Sequence, residues 1–430
     1  MPKTAVILCA GYGTRMGGKV KPLMKVGGRE IIYRTIKLLR DNGVERFIVI
    51  VNRENRKPIE EFLKSLNIEY EVVVNPNPER GNGYTFYLAK DRINGRFVLV
   101  MGDHVYGEDF VKEALKGEGL ICDRNPRFVD LDEATKVIVE NGRAKRVGKK
   151  LERFCCVDTG FFVLTPEIFG VAKNIVESKE VVSLSEIMEK ARVKVTFVDG
   201  LFWMDVDTEE ELRKANRFVV RCSYKGKGDG FVSRYLNRRI SLRISEILVN
   251  RITPNQATII SFLVGILSSL LNFVSIPLAG VIYQISSILD GIDGEIARAS
   301  LRTSNFGGWL DSVLDRYVDF LFLLTLSFVS KLNDLEWVVA CFAIFGSLMV
   351  SYTTERYRGA FFRDFYQDFD FKFPGKRDER IFLIFLFCLF SFLGKFVIVY
   401  LLILIALVTN LRVLATILVV CRRYLLLKNS

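Results

Sequence analysis

Asp290 and Asp293 stand three residues apart, and Asp311 and Asp315 four apart, in a run that reads Asp290-Gly-Ile-Asp-Gly-Glu-Ile-Ala-Arg298, eight residues, Gly307, then Asp311 and Asp315. If both stretches are helical, each pair shares one helix face. The surrounding sequence is apolar, so four mutually repelling carboxylates there are costly unless cations neutralise them. A salt-bridged polar interior is the plainer alternative, but too few cationic side chains accompany the acids. Two facing pairs of hard oxygen ligands suit one or two magnesium ions, with manganese as a substitute. A carboxylate beside such an ion can orient and deprotonate a hydroxyl, while the metal stabilises phosphoryl oxygens.

A second set of chemistry-bearing residues opens the chain. In Leu8-Cys-Ala-Gly-Tyr-Gly-Thr14-Arg15, Gly11 and Gly13 let backbone N–H groups approach an anion, and Arg15 with Lys21 supplies charge for a triphosphate. The loop lacks the Gly-Lys-Ser/Thr of a Walker loop and the spacing of a dinucleotide fingerprint. A glycine turn beside a solvated basic cluster is the alternative. Further on, Asp103 follows an apolar run, and Asp205 and Asp207 lie in Trp203-Met-Asp-Val-Asp-Thr208. Asp207 also suits a helix N-cap, since Thr-Glu-Glu-Glu follows it. His104 is the single histidine, and the eight cysteines show no metal-ligand spacing. That removes the usual zinc ligands and the base of a Ser-His-Asp site, leaving carboxylates with a hard cation. Adjacent Cys155 and Cys156 cannot close an ordinary disulfide together, so a reducing compartment is expected.

Two different solvents must surround the elements that carry these groups. Half of the 430 residues are hydrophobic and 26% are charged, and the two kinds are segregated along the chain. Up to about residue 222 strands alternate with helices: 5–10, 46–51, 70–74 and 97–101 read as strands, and 30–41 and 57–66 as helices. This predicts a Rossmann-like α/β domain with a mostly parallel sheet, whose ligands sit at the carboxyl ends of the strands. The apolar run at 5–10 is too short for a secretory signal and reads as a buried strand.

A Gly/Lys linker begins at 223. The segment 231–251 then alternates Tyr235, Ile240, Ile244 and Leu248 with Arg234, Arg238, Arg239 and Arg243, as in a helix lying on an anionic membrane surface. From 252 to 430 an all-α six-helix transmembrane domain is predicted, with apolar runs at 257–276, 278–289, 309–329, 337–353, 381–393 and 396–420. Arginines concentrate on the linker side of these runs, which places both termini and the N-terminal domain in the cytosol of a multi-pass protein of the cell membrane. The formal charge of +12 follows the membrane borders, so no nucleic-acid partner is expected.

The loop around Gly11 to Lys21, with the segments at Asp103 and Asp205, resembles the signature of the sugar-1-phosphate nucleotidyltransferase family. The resemblance implies that Asp103 with Asp205 or Asp207 holds magnesium between triphosphate and sugar phosphate, and that Leu8, Gly11, Gly13, Thr14, Gly81 and Asn82 contact the nucleotide. It further implies that Arg15 and Lys21 are catalytic, and that Lys149, Lys150 and Asp158 line the acceptor pocket.

The Asp290 to Asp315 run matches the signature of the CDP-alcohol phosphotransferase family at every fixed position. There the resemblance implies metal ligation by Asp290, Asp293, Asp311 and Asp315, with Asp315 also taking the proton from the acceptor hydroxyl as CMP leaves. Gly291, Gly294, Ala297, Arg298 and Gly307, with Thr253, Pro254 and Asn255, would contact the CDP moiety. Fusing the two halves resembles bifunctional enzymes that make CDP-inositol from CTP and inositol-1-phosphate and transfer it to a second inositol-1-phosphate, giving a compatible-solute precursor. Arg356, Arg358 and the basic residues of the loop that follows would then hold the acceptor phosphate, and a homodimer through the membrane domain is expected. The alternatives are a phospholipid synthase with a degenerate or different-substrate N-terminal domain, and a transporter with a regulatory nucleotide-binding domain.

Overall fold

The computed structural model describes residues 1–224 and 230–428, so the centre of the expected linker, 225–229, lies outside the described residues. The chain divides into two compact units, Met1–Val219 and Val220–Ser430.

In the first unit, β1 (Thr4–Cys9) is an almost wholly buried apolar run and forms the centre of the sheet. It pairs in parallel with β2 (Arg46–Val51) on one side and β4 (Phe97–Met101) on the other, while β3 (Glu69–Val74) extends the parallel set beyond β2. Helices α1 (Ile31–Asp41) and α2 (Arg53–Lys64) supply the crossovers that parallel pairing demands. Beyond β4 the parallel set is joined by antiparallel strands, so the sheet is mixed. Strands β6 (Gly119–Asp123), β7 (Lys136–Glu140), β8 (Arg143–Gly148) and β9 (Cys156–Leu164) pair antiparallel, with β9 against β4, β6 and β7. For β7 and β8 the reason is local: Asn141 and Gly142, both at positive φ, join them in a two-residue hairpin that can only reverse the chain. A further parallel strand, β10 (Val195–Phe197), lies on β6. Outside this sheet, β5 (His104–Tyr106) pairs with β11 (Trp203–Asp205), which brings two sequence-distant acidic segments together. The unit closes with α3 (Glu209–Cys222).

The second unit is helical. A π-helical turn, Ser233–Asn237, leads into α4 (Arg238–Leu248). Then come α5 (Pro254–Leu271), α6 (Ile276–Ala299), α7 (Asn305–Val329), α8 (Asp334–Phe361), α9 (Arg377–Leu389) and α10 (Lys395–Lys428). Thr253 and Gln256 form a capping box with Pro254 in the first turn, which accounts for the start of α5. Tyr283 of α6 stacks on Phe322 of α7 with ring centroids 4.0 Å apart, in a core that also takes Ala340, Ile381 and Leu401. Among the described residues, three helices are long and apolar enough to cross a membrane: α5, α8 and α10. The apolar runs expected as six spans thus correspond to six helices, but α6 and α7 carry the acidic motif and α9 has only 13 residues.

Candidate active sites

Each unit holds a polar cavity lined by acidic groups singled out above, Asp103, Asp205 and Asp207 in the first and Asp290 and Asp315 in the second. In the first unit the cavity measures about 220 Å³ and is lined by residues that include Asn82, Asp103, Glu133, Lys149, Asp158, Asp205 and Asp207. The phosphate loop is held from beneath: Asn55 on α2 donates from Nδ2 to the Gly11 carbonyl at 2.9 Å, and Asn52 to that of Ala10 at 3.1 Å. Gly13 sits at φ +62°, where an added Cβ would lie 2.4 Å from the Lys19 carbonyl oxygen, so only glycine fits. Thr14 and Arg15 form the short turn that follows. Lys21 Nζ reaches Asp207 Oδ1 at 2.5 Å and lies 3.9 Å from Asp103 Oδ2, while Arg15 donates to Asp207 Oδ2 at 3.2 Å. The loop cations and the acids of the other two segments therefore converge, although Leu8 is a buried strand residue and Lys150 does not line the cavity. Asn82 does line it, but its Oδ1 also accepts the Leu184 N–H at 2.8 Å, a structural bond.

The sequence did not anticipate what happens at His104. The turn after β4 brings its Nδ1 to 2.9 Å from Asp103 Oδ1, a contact between chain neighbours that an extended strand would forbid. Burial alone would lift the Asp103 carboxyl, yet the bond to His104 and the nearby Lys21 outweigh it and hold Asp103 below the ordinary carboxylate range. Burial holds Asp205 above that range, opposed by His104 and reinforced by Glu211, Asp207 and Asp103. Asp158 is pushed up to about 6 by burial, which outweighs the Gly160 N–H it accepts. Asp103 is thus the constant anion of the pocket. With Asp205 close by, the two offer few protein ligands and leave room for substrate phosphates, which suits magnesium.

The second unit brings Asp290, Asp311 and Asp315 together, with one ligand oxygen from each lying within 4.8 Å of the others. α6 and α7 position them, because i,i+4 spacing on α7 sends Asp311 and Asp315 to the same side. Asp293 faces α5, where Thr258 Oγ1 donates to its Oδ2 at 2.6 Å. Arg377, at the start of α9, spans the cluster: its NH1 is 2.9 Å from Asp290 Oδ2 and 3.0 Å from Asp315 Oδ2, and its Nε is 3.1 Å from Asp319 Oδ1. Asp319 also accepts from Tyr283 at 2.8 Å and from Arg380 at 3.5 Å. Even if Arg316, 4.0 Å from Asp315, is counted with Arg377 and Arg380, five carboxylates against three guanidiniums leave two negative charges uncompensated. A divalent cation fits that excess and the hard oxygen donor set.

Asp290 and Asp315 open into a cavity of about 250 Å³, whose walls include Arg238, Ser351, Tyr366, Lys376 and Arg377. Arg356 and Arg358, expected at the acceptor phosphate, do not line it. Arg356 follows the cavity-facing Thr354 by two residues, about 200° around the helix, and Arg358 is exposed and paired with Asp364 at 2.9 Å. Lys376 and Arg377, from the basic loop that follows them in the chain, stand in the cavity. Arg298 donates from Nε to the Ser223 carbonyl at 2.8 Å, and Gly294 lies next to it. Gly307 is held by the Ser304 cap of α7 close to Asn255, while Ala297 lies on the motif's own helix.

Comparison with known proteins bears on both units. Residues 5–117 match the MobA-like NTP transferase domain and residues 251–412 the CDP-alcohol phosphatidyltransferase family. The chain is similar to a protein of Thermococcus kodakarensis named bifunctional IPC transferase and DIPP synthase, with 53% identity over 98% of each chain. A protein of the same name from Aquifex aeolicus is 48% identical, covering 98% of this chain and 99% of that one. Among solved structures, the inositol-1-phosphate CTP transferase from T. maritima matches with a TM-score of 0.45 and 28% identity, over 50% of this chain and 96% of that one.

Proposed function

Because this chain belongs to the family of bifunctional IPC transferases and DIPP synthases, we propose that it carries out two consecutive transfers at the two cavities described. In the first, a phosphate oxygen of inositol-1-phosphate attacks the α-phosphorus of CTP and pyrophosphate leaves, giving CDP-inositol. In the second, a hydroxyl of another inositol-1-phosphate attacks the phosphorus that bears the inositol, and CMP leaves as the di-inositol product forms. The convergence of Asp290, Asp311 and Asp315 carries this reading for the second step.

For the first step, Arg15 and Lys21 neutralise the triphosphate and lie against Asp207 until substrate displaces them. Asp103, kept ionised by His104, and Asp205 would hold a magnesium ion. Lys149, which reaches Glu133 at 3.5 Å, is placed to meet the acceptor phosphate, and Asp158 to meet a ring hydroxyl. For the second step, Asp290, Asp293 and Asp311 would hold a divalent cation, which supplies neutralisation of charge on the phosphoryl oxygens. Asp315 takes the proton of the attacking hydroxyl, and Arg377 keeps that carboxylate aimed into the cavity. Lys376 and Arg377 offer the acceptor phosphate its counter-charge.

The helical unit lies in the cell membrane, multi-pass, with the first unit and both termini cytosolic and a second copy paired through the helical unit. Thiol labelling of Cys341 and Cys421, near opposite ends of the expected spans, tests that topology in intact vesicles. Phosphorus NMR tests the reactions. Given magnesium, CTP and inositol-1-phosphate, the wild type should release pyrophosphate and CMP and form a phosphodiester. Asp315→Asn should stop at CDP-inositol, and Asp103→Asn should block its formation. Failure of Asp315→Asn to accumulate CDP-inositol, or of the wild type to release pyrophosphate, would refute the substrate assignment.

A further inference from the structure

The helix expected to lie on the membrane surface through its apolar side is built with an unusual inner face. Its inward residues are polar: Asn237, Ser241 and Ser245 repeat every four positions and are buried, the two serines completely. Other apolar residues of this segment are open to the outside, with Tyr235 53%, Ile240 40% and Ile247 62% exposed, while Ile244 and Leu248 are half-buried. Burying a polar stripe and exposing an apolar one is unfavourable in water, and is explained when lipid covers the outside and polar partners wait within.

Those partners lie on the motif helix. Glu295, within the Asp290 to Arg298 run, is fully buried, and both of its oxygens are spoken for by α4. Ser241 Oγ donates to Oε1 at 2.6 Å, Arg238 NH1 to Oε1 at 3.0 Å, and Ser245 Oγ to Oε2 at 2.6 Å. Arg238 NH1 also donates to the Gly291 carbonyl at 3.2 Å, and a Cβ on Gly291 would come within 2.2 Å of that nitrogen. The motif glycine therefore makes room for an arginine of this chain. One turn earlier, Gln284 donates to Asn237 at 3.0 Å and the Ser233 N–H to Asp378 at 2.7 Å. Ser233, Asn237, Arg238 and Ser241 are at the same time one wall of the cavity into which Asp290 and Asp315 open.

We infer that α4 is a working wall of the acceptor cavity, not a tether, and that Glu295 is the positioning residue that sets this wall through Arg238. The inference rests on the transfer reading above, in which Asp315 receives the acceptor's proton, so the cavity it opens into is the acceptor's. A buried carboxylate that loses its charge no longer holds a guanidinium at a fixed place, and the wall shifts without any change at the carboxylates that perform the transfer.

The test supplies CDP-inositol and magnesium to the full-length protein and follows CMP release against inositol-1-phosphate concentration. Glu295→Gln should raise the acceptor KM about tenfold while kcat changes less than about threefold, and the CTP step of the same chain should be unaffected. Arg238→Gln should do the same. The double variant should be no worse than either single one, because removing both partners leaves no unpaired buried charge. Asp315→Asn, run in parallel, should abolish kcat. If Asp315→Asn stops transfer but Glu295→Gln leaves the acceptor KM at its wild-type value, the inference is overturned. If Glu295→Gln lowers both steps together with the melting temperature, Glu295 serves only the fold and the inference is likewise overturned. If Asp315→Asn transfers normally, the transfer reading itself fails.

Discussion

Arg377 bridges Asp290, Asp315 and Asp319 with one planar guanidinium. A lysine carries the same charge as a point and cannot fork to three carboxylates, so Arg377→Lys should rescue poorly. Arg377→Gln should abolish transfer while leaving CDP-inositol formation intact, and should lower the stability of the helical unit by about 3 kcal/mol, since breaking a buried pair leaves unpaired charge. Thermal unfolding in detergent and phosphorus NMR read the two effects separately. In the other unit the informative residue is Asp158. Its folded-state value of about 6 lies above the ordinary 3.8, so the folded state prefers the protonated form. The stability this contributes is present below about pH 4 and lost as pH rises through 6. Asp158→Asn, which keeps an acceptor for the Gly160 N–H, should melt with the wild type near pH 4 and about 3 °C above it at pH 7.5. An unchanged difference between those two pH values would show that Asp158 is not destabilised by burial.

Among the elements, two glycines divide the functions of the molecule. Gly13→Ala forces a side chain into a left-handed turn against the Lys19 carbonyl, so the phosphate loop must open. The expected outcome is loss of CDP-inositol formation, with transfer from supplied CDP-inositol unchanged. Gly291→Ala acts on the other step: its Cβ would push Arg238 away from Glu295, and the acceptor KM should rise as it does in Glu295→Gln. Initial-rate kinetics for each step distinguish the two variants. The same elements show where reading along the chain succeeds. Strand β1 and the loop after it, the spacing of acids on α6 and α7, and the capped start of α5 are local features, each decided within a few residues. The hairpin between β7 and β8 also has a local signal, Asn141-Gly142, whereas the antiparallel seating of β9 between β4 and β6 joins strands far apart in sequence and has none.

At the scale of the whole molecule, one chain carries both the supply and the consumption of CDP-inositol. If the intermediate leaves the first cavity before it enters the second, vesicles holding a mixture of Asp103→Asn and Asp315→Asn chains should form the di-inositol product, although neither variant does alone. Product from the mixture at a rate set by the CDP-inositol concentration would establish release, and none would require passage within one chain. Chelating the divalent cation should stop both steps, and adding magnesium back should restore them together. From the order of residues alone followed the two kinds of solvent, the phosphate loop, the quartet of acids and the chemistry they share, because periodicity and motif spacing are set by backbone geometry. Tertiary structure decided the partners. It took Arg377 and Arg380 from the membrane border to the acids, left Arg356 and Arg358 outside the cavity, joined His104 to Asp103, and turned the polar stripe of α4 inward onto Glu295. Apart from the His104–Asp103 contact, which a turn makes between neighbours, these depend on which segments pack together across tens of residues, and that is determined by the summed burial and charge balance of the whole fold, which no local pattern encodes.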